Sequence, residues 1–292
     1  MKISNFTKGL ISTSTGSFFW GFIGTIYFQY ISFIGFWEVV VHRSLWTLFI
    51  LLITTTLLNK WKVFINILFD IKKISILFIT GLLILGNWTL WIYAVSTNKI
   101  IDSSFGYFIF PIISVFLGFI FFDEKLNKQR ILSILLVLIS SIYLLFTMSS
   151  LPWVGLGVAF LWSFYNLLRK KINVETDIGL LIESLFILPI ILVVLYFIIK
   201  TNNNNFNFEN LKLASLIILA GPMTLLPLFL YVKGVELSGL GPSGMVFFIV
   251  PTGQFLLGFF YFNEAFSVDK FISFIFIWIA VLIYLRDLYE NN

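Results

Sequence analysis

The sequence predicts an all-α membrane protein of ten transmembrane helices, built as two inverted five-helix repeats with both termini cytoplasmic. Three observations lead there. Apolar residues make up 59% of the 292-residue chain and charged residues only 11%, with a mean hydropathy of +1.00, where soluble domains run at roughly 45–50% apolar and about 25% charged. Apolar runs of roughly 20 residues, long enough to cross a hydrocarbon core about 30 Å thick, recur along nearly the whole chain. A stretch of the first half also returns in the second half at a fixed offset.

In order, the spans fall near residues 6–27, 36–58, 74–95, 101–121, 131–147, 151–168, 177–199, 213–232, 240–262 and 268–285. The first follows Lys2 and Lys8, but it is longer than a signal-peptide core and lacks a small-x-small cleavage site, so it is read as helix 1. With the N-terminus inside, Lys2, Lys8, Lys60, Lys62, Lys72, Lys73, Lys125, Lys128, Arg130, Arg169, Lys170, Lys171, Lys233 and Arg286 are cytoplasmic. Lys99, Lys200, Lys212 and Lys270 are external, and Arg43 lies within a span. The excess of inside bases sets the orientation. No loop can hold a soluble domain; the longest are 59–73 inside and the asparagine-rich 200–210 outside, which reads as a polar connector.

The repeat defines the halves. YFIFPIISVFLGFIFFDE at 107–124 and FFIVPTGQFLLGFFYFNE at 247–264 are offset by 140 residues. Phe108, Ile109, Pro111, Leu117, Gly118, Phe119, Phe122 and Glu124 match Phe248, Ile249, Pro251, Leu257, Gly258, Phe259, Phe262 and Glu264. A weaker echo pairs FFWGF at Phe18 with FLWSF at Phe160, so helix 1 corresponds to helix 6 as helix 4 does to helix 9. The repeats are then 1–147 and 148–292. Five helices per repeat is an odd number, so the second copy is inverted and a substrate site is expected near the midplane between them.

Composition also excludes chemistry. With no cysteine and one histidine, disulfides, thiolate or histidine metal sites and cysteine nucleophiles are ruled out, and no cofactor or metal is expected. The formal charge of +5 comes from bases in short loops, a topology signal rather than a nucleic-acid surface. GLGPSG at 239–244 matches a dinucleotide fingerprint as a string, but it opens a membrane helix and follows no strand.

Charges within spans are costly, by roughly 2.5–3.5 kcal/mol each, and mark candidate sites. Helix 2 carries Glu38, His42 and Arg43. Glu38 and His42 share a helix face as a titratable pair, and Arg43 lies roughly 10 Å deep, counted at about 1.5 Å per residue. Helix 7 carries Glu183 at a similar depth from the cytoplasmic end. The bland alternative for each is pairing with a neighbouring helix or snorkelling to the interface. Trp20, Asn87, Trp88, Trp91, Tyr107, Tyr165, Asn166, Gln254 and Phe247, the repeat partner of Tyr107, are further candidates for a cavity wall, and the amides in particular need partners in hydrocarbon. Pro111, Pro251, Pro189, Pro222 and Pro227 fall inside spans, where they should kink or break helices, and Pro111 and Pro251 are candidate hinges around a central site. Asp123, Glu124, Asn263 and Glu264 sit at helix ends, where capping outweighs catalysis.

With these residues in view, the chain resembles the RarD branch of the EamA transporters in the drug/metabolite transporter superfamily, over essentially its whole length. The resemblance rests on FFWG at Phe18, HR at His42 with Glu38 four before it, GNW at Gly86, GYF at Gly106 with Pro111, DEK at Asp123, LLRKK at Leu167, LIE at Leu181 and FIW at Phe276. It implies ten helices in inverted repeats, and export or exchange of amino acids or related metabolites across a bacterial inner membrane. The expected function is thus secondary transport of a small zwitterion by alternating access, with its carboxylate on Arg43 and its ammonium on Glu38 or Glu183. Expected partners are the substrate and the lipid bilayer, with no nucleic acid; coupling to protons or a counter-substrate, and a monomeric or homodimeric state, stay open. The rival readings are a membrane-embedded lipid-modifying enzyme and a lipid flippase or scramblase.

Overall fold

The computed structural model describes the backbone of residues 4–97, 100–147, 151–172, 174–261 and 268–291, with side chains for all of these except 100–104, 270 and 291. Lys2, Lys99, Phe262, Asn263, Glu264 and the Lys270 side chain, used above, lie outside the described residues. Among the described residues every regular element is a helix. α1 (Asn5–Phe18) runs through a π-helical stretch (Phe19–Gly24) into α2 (Thr25–Tyr30) and a 3-10 turn (Ser32–Ile34). There follow α3 (Phe36–Leu57), α4 (Trp61–Leu68), α5 (Ile71–Ser96), α6 (Ile100–Phe122), α7 (Lys128–Thr147), α8 (Trp153–Lys171) and α9 (Thr176–Lys200). The chain ends with α10 (Leu211–Ile218), α11 (Ala220–Ser238), α12 (Leu240–Val246), α13 (Ile249–Phe260) and α14 (Val268–Asn291).

Eight described helical segments are long and apolar enough to cross a membrane: α3, α5, α6, α7, α9, α10 with α11, α12 with α13, and α14. The other two expected spans correspond to α1–α2 and α8. α1 is interrupted by its π-helical stretch and rich in Ser, Thr and Gly, while α8 ends in Arg169, Lys170 and Lys171. Start signals are local: Ser4, Asp70 and Asn210 accept the amides of Thr7, Lys73 and Leu213 at the heads of α1, α5 and α10.

The prolines divide into two kinds. Proline leaves the carbonyl four residues earlier without its helical bond. For Pro251 that carbonyl belongs to Phe247, and α12 gives way to α13 at Phe247 and Phe248, where the Val250 amide reaches back only three residues, to Phe247, at 2.8 Å. For Pro222 it belongs to Ile218, the last residue of α10. Pro111, Pro189 and Pro227 lie within uninterrupted helices.

Small residues let helices approach closely, as they must where lipid offers no hydrophobic drive to associate. Gly9, Thr13, Gly16 and Ser17 form the buried stripe of α1. A Cβ on Gly9 would lie 2.8 Å from that of Ser238, and one on Gly16 2.7 Å from the carbonyl oxygen of Pro227, both on α11. Helix pairing is symmetric under exchange of the sequence halves. α1 packs on α11 as α8 packs on α5, and α3 on α11 as α9 on α5. α6 packs on α8 as α12 and α13 do on α1 and the π-helical stretch, while α3 with α9, α6 with α12 and α7 with α14 meet as partners. The eight-residue helices α4 and α10 precede α5 and α11 in the same way.

Candidate functional site

Tracing the polar side chains inward from these helices leads to one aromatic-walled cavity at the centre of the packing. Trp20 reaches it from the π-helical stretch, whose displaced carbonyl at Trp20 accepts the Thr25 hydroxyl at 3.0 Å. Arg43 comes from α3, Asn87, Trp88 and Trp91 from successive turns of α5, and Tyr107 from α6. Trp162 of α8 and Phe247, Val250 and Gln254, at and just beyond the break before α13, complete the wall. The space open to the centre of a water-sized sphere is about 30 Å³, enough for a water or two but not for a metabolite.

Aromatic rings at repeat-equivalent positions meet here. Trp20 and Trp162 sit edge to face with centroids 5.3 Å apart, Tyr107 and Phe247 at 5.5 Å, and Phe108 and Phe248 at 6.4 Å just outside the cavity.

Arg43 is the charge of the site. Its side chain is buried, its Nε donates to Thr224 Oγ1 at 3.1 Å, and its guanidinium carbon lies 4.7 Å and 4.8 Å from the ring centres of Trp88 and Phe28. Among the described residues no carboxylate pairs with it, and Nη1 has no hydrogen-bond partner. Three further buried atoms of the wall are unpartnered: the donors Trp88 Nε1 and Trp162 Nε1, and the acceptor Gln254 Oε1. Asn87 spends its amide hydrogen on the Val158 carbonyl at 3.1 Å. Buried polar groups in folded proteins are almost always paired, so a cluster of orphans on residues that line one cavity is a ligand signature.

Eight of the thirteen binding candidates named from sequence line this cavity: Trp20, Arg43, Asn87, Trp88, Trp91, Tyr107, Phe247 and Gln254. The other five lie elsewhere. Glu38 accepts the amides of Asn205 and Phe206 at 2.7 and 3.0 Å and the Asn205 side chain at 2.7 Å, so the 201–210 connector is strapped to the head of α3. His42 stands 3.8 Å from Glu38 with its ring against Phe206. Arg43 therefore has Thr224 and aromatic faces as its company, in place of the expected Glu38 or His42.

Tyr165, Asn166 and Glu183 lie one layer toward the Arg169 end of α8. Asn166 bonds back along its own helix to the Trp162 carbonyl at 2.7 Å. Glu183 accepts Thr80 Oγ1 at 2.6 Å and the Tyr165 hydroxyl at 3.2 Å, with Arg169 Nε at 3.4 Å. Arg169, counted above among loop bases, is 1% exposed and drawn into the protein by this carboxylate. Trp162, Val250, Thr224, Thr80 and Arg169 are contributors that sequence reasoning did not name as site residues. For Trp162 the signal was present, because the FFWGF and FLWSF echo aligns it with Trp20.

Comparison with known proteins fits this architecture. Residues 7–146 match the EamA-like transporter family. The chain is 32% identical over 280 residues to Protein RarD of Escherichia coli (strain K12), covering 96% of this chain and 94% of that protein. It is also 31% identical over 287 residues to the uncharacterized transporter YojE of Bacillus subtilis (strain 168), covering 97% and 95%. A crystal structure at 12% identity superposes with a TM-score of 0.66 over 94% of this chain and 95% of its own, a likeness of fold alone. The chain is a RarD-like member of the EamA-like transporter family and, with its multiple membrane-spanning helices, a membrane transporter of the drug/metabolite type.

Proposed function

We propose that the protein is a secondary transporter of an amino acid or closely related zwitterion, working by alternating access between two inverted five-helix repeats in a bacterial inner membrane. The observation that carries the substrate class is the set of unpartnered atoms around the cavity. Arg43 Nη1 and the indole N–H groups of Trp88 and Trp162 offer donors to a carboxylate, and Gln254 Oε1 offers an acceptor to an ammonium. The aromatic walls add faces for a cation and for an apolar side chain. Among the described residues no carboxylate lines the wall, so the ammonium is assigned to Gln254 and the rings in place of Glu38 or Glu183.

The inverted repeat is supported by the exchange-symmetric packing and by the meeting of repeat-equivalent rings. An odd number of spans per repeat then turns the second copy over. The cytoplasmic placement of both termini follows from the distribution of lysine and arginine. The chain lacks cysteine, so single cysteines report topology cleanly: position 203 should react with an impermeant thiol reagent in intact cells and position 62 should not. The reverse pattern overturns the orientation.

Substrate class is tested by melting temperature against a panel of amino acids, followed by exchange of labelled L-phenylalanine in proteoliposomes. Ligand at a hundredfold excess over its Kd should stabilise the protein by about 2.7 kcal/mol. Arg43→Lys keeps the charge but loses the fork geometry, so it should bind more weakly while Arg43→Ala binds nothing. Unchanged ligand stabilisation in folded Arg43→Ala protein refutes the assignment.

A further inference from the structure

A second charged cluster, which the substrate site does not use, is related to the first by exchange of the halves. Arg43 on α3 is held by Thr224 on α11; Glu183 on α9 is held by Thr80 on α5. Arg43 and Glu183 are separated by 140 residues, the offset of the internal repeat. The two sites are thus counterparts with opposite charge. Where Arg43 faces the cavity, Glu183 lies behind its wall: Tyr165, which donates to Glu183, stacks on the cavity residue Trp162 at an interplanar angle of 11° with centroids 5.4 Å apart.

We propose that Glu183 is the proton-binding site of the transporter, loaded and emptied in step with the substrate through the Trp162–Tyr165 stack. This rests on the transport reading above. The surroundings favour a proton over a metal cation. The oxygens at hand are the carboxylate, Thr80 Oγ1 and the Tyr165 hydroxyl, and Arg169 Nε at 3.4 Å would repel a metal ion. A proton taken from one aqueous phase instead converts the carboxylate to a neutral acid that can be carried through the barrier and emptied on the other side.

Arg169 has somewhere to go when that happens. Its Nη2 already donates to the Thr176 carbonyl at 3.3 Å, and the Thr176 hydroxyl donates to Glu236 at 2.7 Å. Among the other charges on packed elements, Lys233 pairs with Glu236, Lys60 with Asp177 and Glu175, Lys73 with Asp70 and Lys170 with Glu124, and on α3 Glu38 accepts from Asn205 and Arg43 donates to Thr224. His42 on α3 stands beside Glu38. α5 presents Thr80 and Gly81 to Glu183, and α8 presents Tyr165 and Arg169. Protonation of Glu183 would therefore release its ion pair with Arg169, a contact between α9 and α8 next to the cavity wall.

The test separates proton coupling from transport itself. Proteoliposomes exchange labelled L-phenylalanine at equal pH, then accumulate it against a pH gradient; in parallel, infrared difference spectra of the purified protein follow the carboxylic-acid C=O stretch as pH is lowered. In Glu183→Gln protein the band should vanish and gradient-driven accumulation should fall by about tenfold or more, while equal-pH exchange continues. Thr80→Val keeps the ion pair and removes one bond to the carboxylate, so the pH midpoint of accumulation should rise by about one unit. This second variant carries the test if Glu183→Gln, which strands Arg169, does not fold. Accumulation that ignores the pH gradient in wild-type protein, a band that survives in Glu183→Gln, or a midpoint unmoved in Thr80→Val overturns the proposal. Failure of wild-type exchange at equal pH strikes the transport reading instead, and the infrared band still decides the proton site.

Discussion

Arg43 and Arg169 are both buried guanidiniums, 2% and 1% exposed, yet replacing each by methionine should have different consequences. Arg169 sits 3.4 Å from Glu183, and removing one member of a buried ion pair strands the other at a cost of about 3–5 kcal/mol. Among the described residues Arg43 has no acid to strand. Its burial costs roughly 2.5–3.5 kcal/mol on insertion scales. Against this stand one charge-assisted hydrogen bond to Thr224, worth about 1.5–3 kcal/mol, and cation–π contacts with Trp88 and Phe28 of about 0.5–2 kcal/mol each. Summed, the favourable terms come to about 2.5–7 kcal/mol and cover the burial cost with roughly 2 kcal/mol to spare at the midpoints, so Arg43→Met should cost about 2 kcal/mol or less, below the loss expected for Arg169, while abolishing stabilisation by L-phenylalanine or whichever panel member stabilises the wild type. Arg169→Met should lower melting temperature and yield together. Both are read from unfolding curves of purified protein with and without ligand. An Arg43→Met protein as destabilised as Arg169→Met would refute the reasoning and make Arg43 a structural lock.

Two further substitutions probe contacts at the Arg169 end of α8. A Cβ on Gly179 would lie 2.6 Å from Arg169 Cζ, in a fully packed region, so Gly179→Ala should cost about 1–3 kcal/mol by overpacking; an unchanged unfolding midpoint would show that Arg169 has room to move. Lys60 Nζ bonds Glu175 at 2.7 Å and Asp177 at 2.6 Å with a quarter of its side chain exposed, so Lys60→Met should cost about 1 kcal/mol or less. Partial desolvation pulls the Lys60 pKa down, but its bonds to Asp177 and Glu175 outweigh this and raise it above the ordinary lysine value. Its contribution should therefore be complete below the unfolded pKa of about 10.4 and fade as pH rises through the higher folded value, a slope that Lys60→Met removes from a stability–pH series.

How far the molecule could be read from its sequence depends on how each feature is encoded. Span-forming segments are encoded by composition, and α3, α5 and α9 fall within a few residues of the expected positions. The cavity wall was legible where an aromatic residue fell at a repeat-related position, as at Trp20, Tyr107 and Phe247. Thr224 and Thr80 were not, because a threonine in an apolar helix looks the same whether it bonds its own backbone or a charge on another helix. Arg169 was hidden by Lys170 and Lys171, since a basic cluster at a helix end reads as a solvated terminus, and only the position of Glu183 shows that one of the three turns inward. The asparagine-rich connector hid the partners of Glu38 in the same way: composition made 200–210 a loose polar loop, whereas Asn205 and Phe206 bind the Glu38 carboxylate in the first turn of α3.

The exchange-related pair of Arg43 and Glu183 explains why a membrane protein would keep an arginine with no acid partner among the described residues. If the nearest acid had been placed opposite Arg43, the guanidinium would be neutralised in every state and a substrate carboxylate would have to compete for it. Holding Arg43 on Thr224 and two ring faces instead keeps its charge available, with the burial cost covered by the reckoning above. A ligand can shift a conformational equilibrium only by the difference between its affinities for the two states. In the proposed inverted repeat the halves trade conformations, so the state that packs Arg43 away as Glu183 is packed now would lose the carboxylate contact. It would also bring Glu183 toward the cavity, where it can exchange its proton. The reversal of charge between equivalent positions thus gives the two states opposite preferences, one for the anionic group of the substrate and one for the proton.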